Sequence, residues 1–524
     1  MKVDFYWYDY RYFPYEKTLA CRELKALLEQ DPMFGANGLS VEVQREWRHH
    51  AYRTTYFREA IAEDGSRVIP IQALLEASPS DKQNHRQSTR YSAHGIHDYR
   101  GKFNPQVVRA VGNLLGLESG SWVLDPFCGS GTTLLEAAHC GWNAIGVDLN
   151  PLAVLIARAK IAAIHLPLTE LCEQIEIFRE RLAGRVNSVC FDIGFTDKQI
   201  RNIGGNSWEM LLPDYDYLQS WFSKSALVQI SVILSEIGKI LSAETQLILH
   251  VILSDILRQV SFQDPGDLRI RRRKSPFLNA PVIPLYLDAV KNKMEAIVRA
   301  RYHFAGTETI QDALLADSRC CTSIIAQHPK FRDVDYFDAA ITSPPYATAL
   351  PYIDTQRLSL VLLGLITADK IHYTEKSLIG NREITTIERL RLEEAIQTNA
   401  NELPGECLAF CQRMRASVDS EKDGFRKRNT PALLYKYLSD MKCMFADVSH
   451  LLRNNAPFAI IVGRNSTRLG GQLFLIDTPY LLSLLAKDSG FTIQEKLELD
   501  TYQRYHIHQT NSIRSETLLI LRRE

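Results

Sequence analysis

The chain predicts a doubly wound α/β fold, a mostly parallel sheet with helices on both faces. Three observations carry this expectation. Short apolar runs alternate with strongly helical stretches over much of the chain. One such run, Trp122 to Leu124, ends in Asp125 and breaks into a loop with glycines at 129 and 131, ahead of the helical Leu134 to Ala138. A second run, Asn143 to Val147, follows one helix later and also ends in an acid, Asp148. Apolar strand, glycine turn and helix are the layout of a nucleotide-binding crevice at the carboxyl end of a parallel strand.

The whole chain sets the bounds. Its 524 residues can bury a large core, and 45% hydrophobic with 23% charged residues is the composition of a globular protein, not a disordered one. Positive and negative side chains balance at 61 each, so a nucleic-acid partner has to meet a local basic face. No apolar stretch reaches the length of a membrane span. Met1 to Trp7 carries an early acid and aromatics, unlike a signal peptide. A cytoplasmic protein without a membrane partner is expected. Ten cysteines are scattered without a Cys-x-x-Cys pair, and no metal is expected; Cys407 and Cys411 share a helical spacing but have no second pair nearby.

Taken in order, residues 1–90 form an N-terminal extension. Arg45, Arg48, Arg53 and Arg58 interleave there with Trp47, His49, His50, Tyr52, Tyr56 and Phe57. That pattern suits a nucleic-acid backbone with stacked bases, and equally an amphipathic helix with solvated arginines. Ser78 to Arg90 is polar and aperiodic, a linker. Residues 91–164 read as the cofactor-binding half. Pro105 opens a helix over Val107 to Leu115, the glycine-loop strand and its helix follow, and the strand ending at Asp148 leads through Pro151 into a helix over Leu152 to Ala163. Gly129 and Gly131 lack a Cβ, so a ligand can approach the backbone there. Asp148 stands about twenty residues past the loop, where a carboxylate can accept both ribose hydroxyls of a nucleoside.

Residues 165–300 interrupt the alternation with helical stretches at Leu168 to Leu182, Leu227 to Leu241 and Leu285 to Ala300. Among them lies a basic run, Arg269, Arg271, Arg272, Arg273 and Lys274, whose charges suit phosphates or only a solvated loop. Residues 301–524 resume the pattern near Ala313 to Leu315. Phe337 to Ile341 leads into Thr342-Ser343-Pro344-Pro345-Tyr346, and a charged helical excursion occupies 365–430. A helix over Leu438 to Leu452, a strand over Ala459 to Gly463, a helix over Pro479 to Lys487, and strands over Phe491 to Leu497 and Glu516 to Leu521 complete the chain.

Three blocks resemble the S-adenosylmethionine-dependent methyltransferases that modify exocyclic amino groups of bases in DNA. Lys102-Phe103-Asn104-Pro105-Gln106 is similar to the segment beside the methionine part of the cofactor. Asp125-Pro126-Phe127-Cys128-Gly129-Ser130-Gly131-Thr132 is similar to the cofactor loop, and Thr342 to Tyr346 to the catalytic motif. The resemblance implies a Rossmann-like class I methyltransferase sheet closed by a reversed edge strand, with S-adenosyl-L-methionine as cofactor. It implies cofactor roles for Lys102, Phe103, Pro105, Pro126, Phe127, Gly129 and Gly131. Asp125 is expected near the cofactor's amino group, Thr132 as the helix cap, Asp148 on the ribose with Asn150 assisting, and Asp317, with Asp312 as rival, on the adenine.

The motif has its own chemistry. An exocyclic amine is a poor nucleophile because its lone pair is delocalised into the ring. The Ser343 hydroxyl oxygen and the Pro344 carbonyl can accept its two hydrogens and aim the lone pair at the methyl donor. Pro344 and Pro345 stiffen the loop, and Tyr346 offers a face for a base flipped from the duplex. The resemblance implies duplex DNA as partner and admits a restriction or defence-system partner; Arg45, Arg48, Arg53 and the run Arg269 to Lys274 are the candidate DNA contacts. The resemblance implies that serine at 343 favours cytosine N4 as the acceptor, although some adenine-modifying members share the serine. Adenine N6, an RNA base, and a catalytically silent binding subunit stay open. The insertion between the second and third strands does not lie where the family's usual classes place target recognition.

Overall fold

The computed structural model describes residues 1–524 except 44–45, 77–87, 100, 188–211, 265, 267–269, 305–307, 332–333, 348–351 and 501–514. Arg45, Arg269 and most of the expected linker lie outside the described residues.

The N-terminal extension is neither a basic arm nor a lone amphipathic helix. Strands β1 (Lys2–Trp7), β2 (Met33–Phe34), β3 (Gly38–Glu42), β4 (Phe57–Ala62) and β5 (Arg67–Val68) form an antiparallel sheet in the order β2-β3-β1-β4-β5. Val3 and Phe5 on β1 are fully buried while Lys2, Asp4 and Tyr6 remain partly exposed, the period of two of a half-buried strand. The strands were hidden in the sequence because they are short, two of them only two residues long. Helix Pro14–Leu28 packs against helix Pro105–Leu114, and the apolar cluster of the extension continues into Val107, Val111 and Trp142. Trp142 lies against Gly112, where an added Cβ would come within 2.0 Å of the indole.

The principal sheet comprises β6 (Trp122–Asp125), β7 (Asn143–Asp148), β8 (Gln311–Leu315), β9 (Ala339–Thr342) and β10 (Pro457–Gly463). A separate hairpin, β11 (Asn465–Leu469) and β12 (Gln472–Ile476), follows, and β13 (Phe491–Asp500) and β14 (Ser515–Arg523) complete the sheet. The order is β13-β14-β10-β9-β6-β7-β8. All pairings from β8 to β10 are parallel, and β14 is antiparallel to both β10 and β13. This is the Rossmann-like arrangement expected, with one correction. The reversed strand is β14, in the penultimate position, and β13 is the edge. The residues give the reason: Leu518 to Leu521 is a continuous buried run suited to an inner strand, whereas β13 alternates between buried or half-buried and exposed positions. The chain winds one way from β6 to β7 and β8 and the other way from β6 to β9 and β10. A crevice therefore opens at the carboxyl ends of β6 and β9.

Between β7 and β8, helices Leu168–Asn187, Tyr215–Gln219, Lys224–Ile237, Ala243–Val260 and Val282–His303 share one apolar cluster with helix Pro151–His165, against which Ala243–Val260 and Val282–His303 pack directly. The insertion is thus continuous with the layer that backs the crevice. Residues 365–430 hold the helices Ile371–Ser377, Thr386–Thr398 and Gly405–Ala416. The helix expected from Leu438 begins much earlier, at Phe425, and carries Pro431 inside. Among the described residues no single helix is long and apolar enough to cross a membrane.

A buried polar network ties the segment before the crevice to the sheet. Glu136, fully buried, accepts from Tyr91 at 2.7 Å and Arg109 at 3.0 Å, and lies 2.8 Å from His94 and 3.1 Å from His139. Burial alone would push the Glu136 carboxyl up. Arg109 and the two histidines outweigh that and hold it well below the usual carboxylate range. His94, Glu136 and His139 lie close enough to share an ion. Arg109 and Tyr91 also bond the carboxylate, so these residues form a buried hydrogen-bond network.

Candidate active site

The glycine loop carries two left-handed residues, Gly129 with φ 49° and Gly131 with φ 75°. A side chain at 131 would place its Cβ 2.6 Å from that of Ala157, so only glycine lets the loop close on helix Pro151–His165. Cys128 is buried and fills the space over Gly146, where an added Cβ would come within 2.5 Å of its own. It is a small packing residue, and burial raises its thiol pKa well above the ordinary value. Gly131 occupies the N-cap of helix Thr132–Cys140. The expected capping role of Thr132 is therefore corrected: Thr132 is the first helical residue, because the left-handed glycine already makes the turn.

Asp148 ends β7 at the mouth of the loop. Its carboxylate accepts from the Gly129 amide at 3.0 Å and the Asn150 amide at 2.7 Å, and it lines the pocket between them. Burial raises its pKa to about 6, against the pull of the two amides. Asn150 caps helix Pro151–His165 by accepting from the Leu152 amide at 3.1 Å, and its Nδ2 donates to Gln356 at 2.7 Å. The same amide group lies 3.4 Å from the Tyr99 hydroxyl.

A pocket opens here, lined by Tyr99, Phe127, Gly129, Asp148, Asn150, Ser318, Ser343 and Ile379, among others. It brings the glycine loop, the β7 acid and the β9 motif together. Ser343 donates its hydroxyl proton to the Ile461 carbonyl on β10 at 3.0 Å, which leaves oxygen lone pairs for a donor in the pocket. Pro345 lines the pocket and Pro344 is buried behind it. The Tyr346 hydroxyl donates to Glu516 on β14, so its ring is tethered beside the motif and is not among the lining groups.

Several expected contacts fall elsewhere. Asp125 is buried, accepting from the Thr342 hydroxyl at 2.6 Å and the Phe127 amide at 3.1 Å, so its carboxylate joins two loops instead of facing the pocket. Lys102 donates to the Thr89 and His94 carbonyls at 2.7 and 3.2 Å, and burial lowers its pKa to about 8. Phe103 packs into the apolar cluster shared with the N-terminal sheet, and Pro105 opens its helix. It is Tyr99 and Gly101, just upstream, that line the pocket, with Pro126 beside them. Asp317 is gripped by Arg319, which also pairs with Asp440 at 2.8 Å, while its neighbours Ala316 and Ser318 face inward. The rival Asp312 lies 3.3 Å from Arg158 and 3.1 Å from His328.

The basic residues divide as well. Arg53 donates to both Glu118 carboxylate oxygens at 2.7 Å and to the Leu117 carbonyl, a brace between the N-terminal extension and the turn before β6. Arg48 is exposed beside the Trp47 ring. Arg272 lies over Trp221 at 4.9 Å and donates to the Ser220 carbonyl. Arg273 donates to the Gln263, Arg258 and Gln259 carbonyls at 2.9, 3.0 and 2.6 Å. Arg271 and Lys274 are exposed. The Ile270 amide donates to Asp354 at 3.3 Å, which fastens this run to helix Tyr352–Leu362 downstream of the motif.

Sequence reasoning missed Tyr99, Gln356, Leu378 and Ile379. Leu378 and Ile379 come from the helical excursion and form an apolar wall of the pocket. At Gly380, φ is 78°, and an added Cβ would lie 3.1 Å from that of Pro345, so this turn rests on the motif. The proximity of Gly380 to Pro345 has no local signal in the sequence.

The cofactor's requirements can be set against this geometry. A side chain at Gly129 would reach within 3.6 Å of the Tyr99 ring and fill the cradle, and the Asp148 carboxylate faces the same space. The residues fit a nucleoside with free ribose hydroxyls.

A family model described as DNA methylase, of the N6/N4 amino type, matches residues 47–159. The type II methyltransferase M.BsoBI of Geobacillus stearothermophilus is 24% identical over 310 residues, covering 54% of this chain and 55% of the relative. M.MvaI of Kocuria varians is 23% identical over 305 residues, covering 56% and 63%. The chain thus spans little more than half the length of these relatives. Among solved structures, TrmN from Thermus thermophilus aligns over 100% of this chain and 99% of its own with a TM-score of 0.33 and 10% identity, too distant to argue from. The family and sequence matches support an amino-group DNA methyltransferase family, with S-adenosyl-L-methionine as cofactor, and do not separate N4 from N6.

Proposed function

We propose that the protein transfers a methyl group to the exocyclic amine of a base flipped out of duplex DNA, with cytosine N4 as the acceptor. The observation that carries this reading is the Ser343 hydroxyl, turned onto the Ile461 carbonyl within the pocket that Asp148 also lines. A serine that has given its proton away can only accept, which is what an amino hydrogen requires. The Pro344 carbonyl is the second acceptor. Two acceptors that hold both amino hydrogens draw the nitrogen out of conjugation and direct its lone pair across the pocket. Bound S-adenosyl-L-methionine supplies an electrophilic methyl group. Asp148 would take the ribose hydroxyls, while Phe127, Leu149 and Ile379 keep water from the reacting groups.

The amine releases one proton on transfer. Among the described residues lining the pocket, Asp148 is the acid, and its position by Gly129 assigns it to the ribose. Proton loss to solvent after transfer is consistent with direct transfer without a covalent intermediate. Duplex DNA would meet the exposed Arg48, Arg271 and Lys274, with Arg272 held on Trp221 for a phosphate. Serine at 343 supports cytosine over adenine.

Incubation of mixed-sequence DNA and RNA with the protein and labelled cofactor, then nucleoside digestion and mass spectrometry, tests this. N4-methylcytosine is the expected product. 6-Methyladenine as the sole product would overturn the choice of base, and label confined to RNA would overturn the choice of nucleic acid.

A further inference from the structure

The hairpin β11–β12 leaves β10 at its carboxyl end, the end of the sheet where Asp125, Asp148 and Thr342 also lie. One face of it is core: Leu469, Phe474 and Ile476 are buried in the cluster behind the motif. Cross-strand register puts Ser466 opposite Leu475 and Arg468 opposite Leu473 on the other face. Leu473 and Leu475 are 57% and 59% exposed, and Arg468 is exposed beside them. Two leucines left in water on one short strand are unusual unless the surface has a partner.

The hairpin is anchored at both ends in spite of this exposure. At its base, Asn465 Nδ2 donates to the Ala347 carbonyl at 3.1 Å, directly after the catalytic motif. At its tip, the Gly470 amide donates to Asp423 at 2.7 Å, and an added Cβ on Gly470 would meet the Ser417 carbonyl at 2.4 Å. Gly470 and Gly471 both have positive φ, at 54° and 87°, which closes a tight turn whose twist matches the strands. The leucines are therefore presented from a fixed platform joined to the acceptor loop.

We infer that the β11–β12 hairpin is the wedge that enters the duplex when the target base leaves it, with Leu473 and Leu475 against the unstacked neighbours and Arg468 on the adjoining phosphate. This rests on the DNA reading above. Extruding a base opens an apolar gap between its neighbours, and leucine side chains are of the kind that fill such gaps. The pairing of exposed apolar groups with a cation matches the stacked bases and charged backbone of a duplex.

The test uses the full chain and duplexes containing the methylated sequence, identified from treated DNA; for fluorescence, 2-aminopurine replaces the base next to the target, which unstacks when the target is extruded. The double variant L473A/L475A is expected to lose the extrusion signal and to turn over roughly tenfold more slowly, with cofactor affinity by calorimetry unchanged. A duplex with a mismatch at the target, where the base is already unpaired, should recover most of that loss. Arg468→Gln should weaken DNA binding and reduce its salt slope by about one. Wild-type extrusion and turnover in the double variant would overturn the inference, as would a defect equal on paired and mismatched duplexes. A changed sedimentation coefficient with intact DNA methylation would assign the leucines to self-association and overturn it too. If the wild-type protein methylates no DNA, the functional reading falls and the wedge with it; an active wild type with an unaffected variant removes the wedge alone.

Discussion

Thr342 Oγ1 donates to Asp125 Oδ1 across 2.6 Å, and these residues end the adjacent strands β9 and β6. The bond couples the loop that shapes the cofactor site to the loop that carries Ser343. Burial raises the Asp125 pKa to about 6, and the bonds from Thr342 and the Phe127 amide restrain it. Thr342→Val removes one donor and leaves a buried acceptor short of a partner, which destabilises by about 1–3 kcal/mol. The Asp125 pKa should then climb further, and both loops should lose alignment. Denaturant unfolding should show the stability loss, and the acidic limb of the kcat profile should move to higher pH.

Asp148 gives a second prediction, with opposite signs for stability and binding. Its folded pKa of about 6 lies above the ordinary 3.8. A raised carboxyl pKa means that ionisation weakens the folded state: the contribution to stability is complete below 3.8 and lost as pH rises through 6. Asp148→Asn should therefore melt at a higher temperature than wild type above pH 6, with the gap closing toward pH 4. The same variant should bind the cofactor at least about tenfold more weakly by calorimetry, since the ribose loses a charge-assisted acceptor. Unchanged affinity would remove the ribose assignment.

Tyr346 can be divided into ring and hydroxyl. The resemblance assigns Tyr346 a base-stacking role although its ring does not line the pocket; stacking on an aromatic ring contributes about 1–3 kcal/mol, so that role requires Tyr346→Ala to slow turnover by roughly five- to 150-fold. Tyr346→Phe keeps the ring but removes the bond to Glu516. A drop of only a few fold is expected there, reproduced by Glu516→Gln, because each change merely loosens the ring. Single-turnover kinetics on the identified duplex measures all three.

Acid should unfold the protein from the network around Glu136. His94 is held neutral, its pKa lowered to about 3 by burial against the opposing pull of Glu136. A depressed histidine stabilises the fold fully above its unfolded value near 6.5, and that contribution is lost as pH falls toward the folded value. Glu136, also held low, contributes in the same direction under more acidic conditions. The melting temperature should fall as pH drops from 6.5 to 4. His94→Gln, which cannot titrate, should show a shallower slope over that interval.

Much of this architecture could be read directly. The acid-terminated strands at Asp125 and Asp148, the left-handed Gly129 and Gly131, and the motif at Ser343 all lie where local pattern placed them, because each depends on a few consecutive residues. Contacts that depend on packing between distant segments were not legible. Asp317 was a reasonable acid for a ligand, but Arg319, two residues on, captures it. Arg53 belongs to a basic patch in the sequence and to Glu118 in three dimensions. Leu378 and Ile379 carry no motif, and their place in the pocket follows from the fit of Gly380 over Pro345. The five-stranded N-terminal sheet was obscured because two of its strands are only two residues long.

The position of β14 also fixes an order of assembly. Glu516, which restrains Tyr346, lies 170 residues downstream of it, on a strand inserted between β10 and β13. During synthesis β10 therefore emerges with one edge uncovered, and Tyr346 lacks its Glu516 partner until residues 515–523 leave the ribosome. A ribosome stalled before that point holds a chain with the glycine loop complete and the acceptor side unfinished. On the proposed function, completion of the acceptor side would be the last step before activity.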